Sequence, residues 1–202
     1  MNKILNILFL AVVGFSCSHQ DLEVKNGDII FQTSLSSQSQ AIQMATKSKW
    51  SHMGIILVIN GEQFVYEAIE PVQFTPLRTW IDRGKDKQFV IKRLKNSEEY
   101  LVIDAVEKMK SIMDSFKGKH YDLLFDWSDD KMYCSELVWK IYDRALEIKL
   151  CELQHLKEFD LSAPVVKNKM RERYGENIPY ESLVVSPEQI YQSNLLETVY
   201  NN

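Results

Sequence analysis

The clearest pattern of apolar and polar positions lies between His52 and Ile69, where two apolar runs flank Asn60-Gly61. Asn-Gly between such runs is the strongest short-range hairpin signal, because both residues tolerate the positive φ of a tight turn. Upstream, Gly27-Asp28-Ile29-Ile30-Phe31 reads as a turn entering a buried strand. Ser36–Lys49 is polar, with Ala41, Ile42 and Ala45 in helical phase, and predicts a half-exposed helix. Residues 75–83 predict a short helix and Gln88–Leu94 another strand. From a cap at Asn96 or Ser97, the apolar residues Leu101, Val102, Ala105, Val106, Met109, Ile112, Met113 and Phe116 recur at helical spacing, and Lys117-Gly118 ends the run. A polar loop with Asp122, Asp126, Ser128, Asp129 and Asp130 precedes a helix near 133–149, whose face is Leu137, Val138, Ile141, Tyr142 and Ala145. Residues 147–182 are more polar and read as a helical insertion. Ser186-Pro187-Glu188-Gln189 has the capping-box spacing of a helix start. Strands and helices alternate irregularly around a hairpin, which predicts an α+β fold.

The N-terminus has a different pattern. Lys3 is followed by a nearly unbroken apolar run from Ile4 to Phe15, then Ser16-Cys17. The run is shorter than the ~20 residues a spanning helix needs, and it reads as an export signal. A cysteine at its end points to lipoprotein processing, with Cys17 as the acylated residue and a plain cleaved signal as the alternative. The expected organisation is a leader at 1–17, a polar tether at 18–26 and one domain at 27–202. The expected place is the cell envelope, on its periplasmic or surface side, anchored to the membrane through the lipid.

Composition narrows the class without naming a function. The chain has 24 Lys and Arg against 28 Asp and Glu, a formal charge of -4, so no basic excess grips phosphates and no nucleic-acid partner is expected. Beyond Cys17 only Cys134 and Cys151 remain. If the stretch between them is helical, its rise of ~25 Å far exceeds the ~7 Å a disulfide spans. The thiols are therefore expected to be free.

Chemistry is concentrated at three positions. With a two-residue loop at Asn60-Gly61, Ile59 pairs with Glu62 and paired numbers sum to 121, so Gly54 faces Glu67 and His52 faces Ile69. His52 and Glu67 then lie on one face as diagonal neighbours. A carboxylate holding one ring nitrogen fixes the tautomer and frees the other as a base. A three-residue loop would separate the two. Cys134 stands where the polar loop becomes a helix, in phase with Leu137, Val138 and Ile141. Unpaired N–H groups and partial positive charge at a helix start favour a thiolate and can receive an oxyanion. Taken singly, each residue has a bland reading: a satisfied histidine, a solvated glutamate, a small buried hydrophobe.

Four stretches carry a resemblance: Trp50-Ser51-His52-Met53-Gly54-Ile55, Val65-Tyr66-Glu67-Ala68, Gly118-Lys119-His120-Tyr121-Asp122 and Tyr133-Cys134-Ser135-Glu136-Leu137-Val138. Together with Val185-Ser186-Pro187-Glu188, they resemble the YiiX-like permuted papain-fold hydrolases, relatives of the NlpC/P60 amidases, over about residues 27–200. The resemblance implies a mainly antiparallel sheet or small barrel packed against helices, with His before Cys in the chain. It also implies Cys134 as nucleophile, His52 as base and Glu67 as the orienting acid, with no cofactor. Tyr121, Tyr133, Trp50 and Tyr66 are the substrate-side candidates, although for Trp50 and Tyr66 core packing is the favoured reading. The implied activity is thiol hydrolysis of an amide, in cell-wall peptide or a related N-acyl substrate.

Two other readings use the same residues. A binding lipoprotein could hold a ligand in the cleft without turning it over. Zinc could use His52, Glu67 and Cys134, but the close ligand spacings of zinc sites are missing. Asp126, Asp129 and Asp130 lack the glycine and closing glutamate of a calcium loop. Cys151 and His155, spaced as on a helix, read as structural.

Overall fold

Asn60 and Gly61 both adopt positive φ, 53° and 83°, and the hairpin closes on Ile59 opposite Glu62 with Ile55 opposite Tyr66. The expected two-residue loop and register are therefore present. The computed structural model describes residues 22–202, so the leader, Cys17 and the first part of the tether lie outside the described residues. In chain order the elements are β1 (Ile29–Gln32), α1 (Ser39–Thr46), β2 (His52–Ile59), β3 (Glu62–Glu67), β4 (Gln73–Pro76), α2 (Leu77–Arg83), β5 (Phe89–Leu94) and α3 (Ser97–Tyr100). There follow α4 (Ile103–Phe116), β6 (His120–Tyr121), β7 (Lys131–Met132), α5 (Cys134–Leu146), β8 (Gln154–His155), α6 (Pro164–Tyr174), β9 (Leu183–Val184), α7 (Pro187–Tyr191) and β10 (Leu196–Asn201).

Six strands form one sheet in the order β10-β5-β1-β2-β3-β4, antiparallel at every pairing. Helices cover both faces, which makes the fold α+β. Strand alternation decides which residues meet which helix. Ile29, Phe31, Met53, Ile55, Leu57 and Tyr66 pack with Met109, Met113 and Phe116 of α4 and Leu137, Val138, Ile141 and Tyr142 of α5. The alternate residues Ile30, Ile56 and Val65 pack on the other face with Leu77, Trp80 and Ile81 of α2. Each fully buried aliphatic of α5 contributes roughly 1.5–3 kcal/mol, an upper figure because denatured chains are already partly collapsed. Burying this face holds the helix, and so its first residue Cys134, against the sheet.

Two expectations need correction. The single helix expected from Asn96 to Phe116 is two, α3 and α4. Between them Val102 is extended, with φ −66° and ψ 165°, which turns Leu101 down onto Gly27. A Cβ at Gly27 would lie 2.7 Å from Leu101 Cδ1, and Gly27 holds a positive φ of 88°. This tertiary contact breaks the helical run. The segment 147–182 is also less helical than expected. Cys151 and His155 are not on a helix; β8 pairs with β9, and only α6 is a regular α-helix. Leu156, Val166 and Met170 from this segment pack with Ala41 of α1 and Val184 of β9 in a third apolar cluster. Cys134 and Cys151 are free thiols. No helix among the described residues is long and apolar enough to cross a membrane.

Candidate active site

His52 opens β2 and is 7% exposed. Its Nε2 lies 2.6 Å from Glu67 Oε2, so the hairpin register does bring the two together. The ring lies near-parallel to the indole of Trp80, with centroids 5.8 Å apart and planes 24° apart. With Nε2 facing Glu67, Nδ1 is the ring nitrogen left free to serve the Cys134 thiol, which is near enough to help raise the imidazole pKa. Burial alone would depress the His52 pKa. The hydrogen bonds and charges of Cys134 and Glu67 outweigh it and raise the value to about 9.

Glu67 is fully buried, a costly place for a carboxylate unless its oxygens are satisfied. They are. Thr75 Oγ1 donates to Oε1 at 2.6 Å and Trp80 Nε1 to Oε2 at 2.9 Å. Arg83 Nη2 donates to both oxygens, at 2.7 and 2.6 Å. Burial pushes the carboxyl pKa up, but hydrogen bonding to His52, Arg83 and Thr75 overrides it and lowers the value to about 2. The group stays charged and holds the ring. Thr75, Trp80 and Arg83 escaped the sequence reading, because they come from β4 and α2 and no local spacing ties them to Glu67.

Cys134 is the first residue of α5 and 3% exposed. Tyr133 precedes the helix, its backbone N–H donating to Glu136 Oε2 at 3.4 Å. Burial raises the Glu136 carboxyl to about 8 despite Lys140 Nζ 2.7 Å away. Val185 N donates to the Tyr133 hydroxyl at 3.1 Å, and Ser135 Oγ donates to Val185 O at 2.8 Å. These bonds tie the start of α5 to the chain just before α7. There the expected cap is present: Ser186 Oγ accepts from Gln189 N at 3.2 Å, and Gln189 Oε1 accepts from Ser186 N at 2.8 Å.

A pocket opens onto Cys134. Its wall is almost entirely apolar and comprises Ala41, Ile42 and Ala45 of α1, Val166 and Met170 of α6, and Phe125, Leu156, Phe159 and Leu161. Tyr121 and Tyr133 line it, as do Gln38, Lys169 and Arg173. Gln38 Nε2 donates to the Tyr121 hydroxyl at 2.8 Å. Burial raises the Tyr121 phenol pKa, and negative charge at Cys134 raises it further. Trp50 and Tyr66 do not reach this pocket. Tyr66 follows strand alternation to the face opposite Glu67, where its hydroxyl donates to Met113 O. Trp50 packs on Tyr191 at 5.5 Å in the same core. His120 is exposed and engages Glu70 at 2.6 Å, while Asp129 pairs with Lys140 and Arg144.

Residues 23–200 match the permuted papain-like amidase enzymes of the YaeF/YiiX, C92 family. The uncharacterized protein YiiX of Escherichia coli (strain K12) is 46% identical over 175 residues, covering 87% of this chain and 85% of that protein. A crystal structure from Escherichia coli O157:H7, described as that of the metalloprotein YiiX, matches with a TM-score of 0.84 at 47% identity. That match covers 88% of this chain and 97% of the other. The residues around Cys134 here do not fit a metal ion. His52 Nε2 and both Glu67 oxygens are already engaged, and among the described residues no group of three or more His, Cys, Asp or Glu could hold an ion. A permuted order, with the histidine strand ahead of the cysteine helix, one antiparallel sheet and a 178-residue match place the protein: it belongs to the permuted papain-like amidases of the YaeF/YiiX, C92 family.

Proposed function

We propose that the protein is a cysteine amidase that releases the amine from an N-acyl substrate, with Cys134 as nucleophile, His52 as acid and base and Glu67 as the orienting carboxylate. One observation carries the reading: His52, bonded to Glu67, lies within interaction range of Cys134, and Cys134 lines an apolar pocket. His52 takes the proton of the Cys134 thiol, and its raised pKa keeps that proton on the ring at neutral pH. The sulfur attacks the carbonyl carbon and the carbonyl π pair moves to oxygen. First-turn N–H groups of α5 have no intrahelical acceptor and are available to that oxyanion. As the tetrahedral centre collapses, His52 gives its proton to the leaving nitrogen and the C–N bond breaks. Water, deprotonated by His52, then cleaves the thioester, releasing the acid and restoring the thiol.

The pocket wall favours an apolar acyl group over a polar cell-wall peptide, since apolar area is best buried against apolar area. The leader reading adds a membrane-anchored enzyme of the cell envelope, carried by residues 1–17 alone. Wild type and Cys134→Ala, incubated with N-decanoyl amides and with peptidoglycan fragments, test the proposal through released amine. Release from the decanoyl substrates by wild type only is expected. Release from peptidoglycan fragments alone would move the substrate to the cell wall. No Cys134-dependent release from either would leave a ligand-binding protein using the same cleft.

A further inference from the structure

Arg173 is out of character with its surroundings. It projects from α6 into the apolar pocket that Cys134 lines, half-buried, with its guanidinium carbon 4.6 Å from the centre of the Phe125 ring. Arg83, Arg93 and Arg144 each meet a carboxylate, at 2.6, 2.7 and 2.8 Å. No ion pair engages Arg173 among the described residues. Its nearest acids are committed elsewhere: Glu172 pairs with Lys169 at 2.7 Å, and Asp122 accepts from the backbone N–H groups of Leu124 and Asp126 at 2.8 and 2.5 Å. Burial lowers the Arg173 pKa, while Tyr121, Tyr174, Glu172 and Asp122 only partly offset it. Of its five N–H donors, Nη2 is spent on Gln38 Oε1. Gln38 in turn donates to Tyr121, which lines the same pocket as Cys134. The guanidinium is thus fixed in the pocket that Cys134 also lines, stacked and oriented, with donors left over.

A half-buried cation without a counter-ion is expensive to hold in an apolar wall, and a planar guanidinium is the side chain best matched to a carboxylate or phosphate. We infer that Arg173 receives an anionic group of the substrate, a carboxylate or phosphate lying a few bonds from the scissile carbonyl, so that the substrate is an anionic amphiphile such as an N-acyl amino acid. The inference rests on the amidase reading for the identity of the scissile bond, but not for the anion subsite.

The test is equilibrium binding to Cys134→Ala of three decanoyl compounds: N-decanoylglycine, its neutral amide N-decanoylglycinamide, and N-decanoyl-O-phosphoethanolamine. At least ~10-fold tighter binding of one or both anions than of the amide is expected, the size of a charge-assisted hydrogen bond. Whichever anion leads identifies the source of the charge. Adding Arg173→Met should remove the preference while leaving the affinity for the neutral amide within ~3-fold, and Arg173→Lys should restore part of it. A merely structural Arg173 would weaken all three compounds together. Binding of both anions to Cys134→Ala no tighter than that of the amide, a result that needs no Arg173 variant, overturns the inference. So does a preference that survives Arg173→Met. Turnover by wild type is followed in parallel: its absence with the anion preference intact counts against the amidase reading and not against the subsite.

Discussion

Gly54 and Glu67 face each other across the hairpin, and the side chain that Gly54 lacks is the one Glu67 needs out of the way. A Cβ at Gly54 would lie 3.3 Å from Glu67 Cβ, 2.7 Å from Tyr66 O and 2.4 Å from Val65 Cγ1. A backbone oxygen among these neighbours cannot swing aside. Gly54→Ala is therefore expected to cost about 1–3 kcal/mol, the range for overpacking, and to displace Glu67 from His52. Urea unfolding measures the first effect, and a loss of activity larger than the stability change explains shows the second. An unchanged midpoint with full activity would contradict the close approach.

Replacing Glu67 by Gln removes the charge but keeps the shape. The signs follow from the two shifts. His52 is raised from 6.5 to about 9, so the stabilisation of its charged form is complete below about 6.5 and lost as pH rises through about 9. Glu67 is lowered from 4.5 to about 2, so its contribution is complete above about 4.5 and lost as pH falls through about 2. Between these limits both groups are charged. Glu67→Gln should lower kcat by roughly 10²–10⁴-fold and move the alkaline limb of the pH–rate profile to lower pH. A limb that stays near 9 in the variant would mean that Glu67 does not set the histidine.

Thiol reactivity separates the two described cysteines. Burial raises the Cys151 thiol to about 12, whereas Cys134 has an imidazole to take its proton. Iodoacetamide at neutral pH should alkylate Cys134 about 10²-fold faster than Cys151, read by peptide mass spectrometry. His52→Ala should erase most of that difference. Equal rates in the wild type would remove the activated thiol.

Ala45 lies on the pocket wall, half-buried on α1. Ala45→Phe should fill space needed by a long acyl chain and raise KM for decanoyl substrates by ~10-fold or more, while acetyl substrates change little. Equal effects on both chain lengths would place the acyl group elsewhere.

The hairpin, the start of α5 and the cap before α7 were legible because each is written in neighbouring residues. Asn60-Gly61 sets the turn, the turn sets the register, and the register aligns His52 with Glu67. Ser186 and Gln189 sit three apart and bond each other. The break at Val102 was not legible, since apolar periodicity runs straight through it and only the contact of Leu101 with Gly27 interrupts the helix. The pocket was less legible still. Its walls come from α1, α6 and the loop around Phe125, and the polar look of 147–182 hid that Leu156, Val166 and Met170 face inward. For Trp50 and Tyr66 the favoured reading, core packing, is the one the structure shows, and strand alternation points Tyr66 away from Glu67.

The most direct measurement is the intact mass of the protein after a rapid acid quench during turnover of p-nitrophenyl decanoate, followed by peptide mapping. One decanoyl group carried as a thioester on Cys134, absent from His52→Ala and Cys134→Ala, is the expected result. Turnover that persists in Cys134→Ala, or an acyl group found on any other residue, would contradict it.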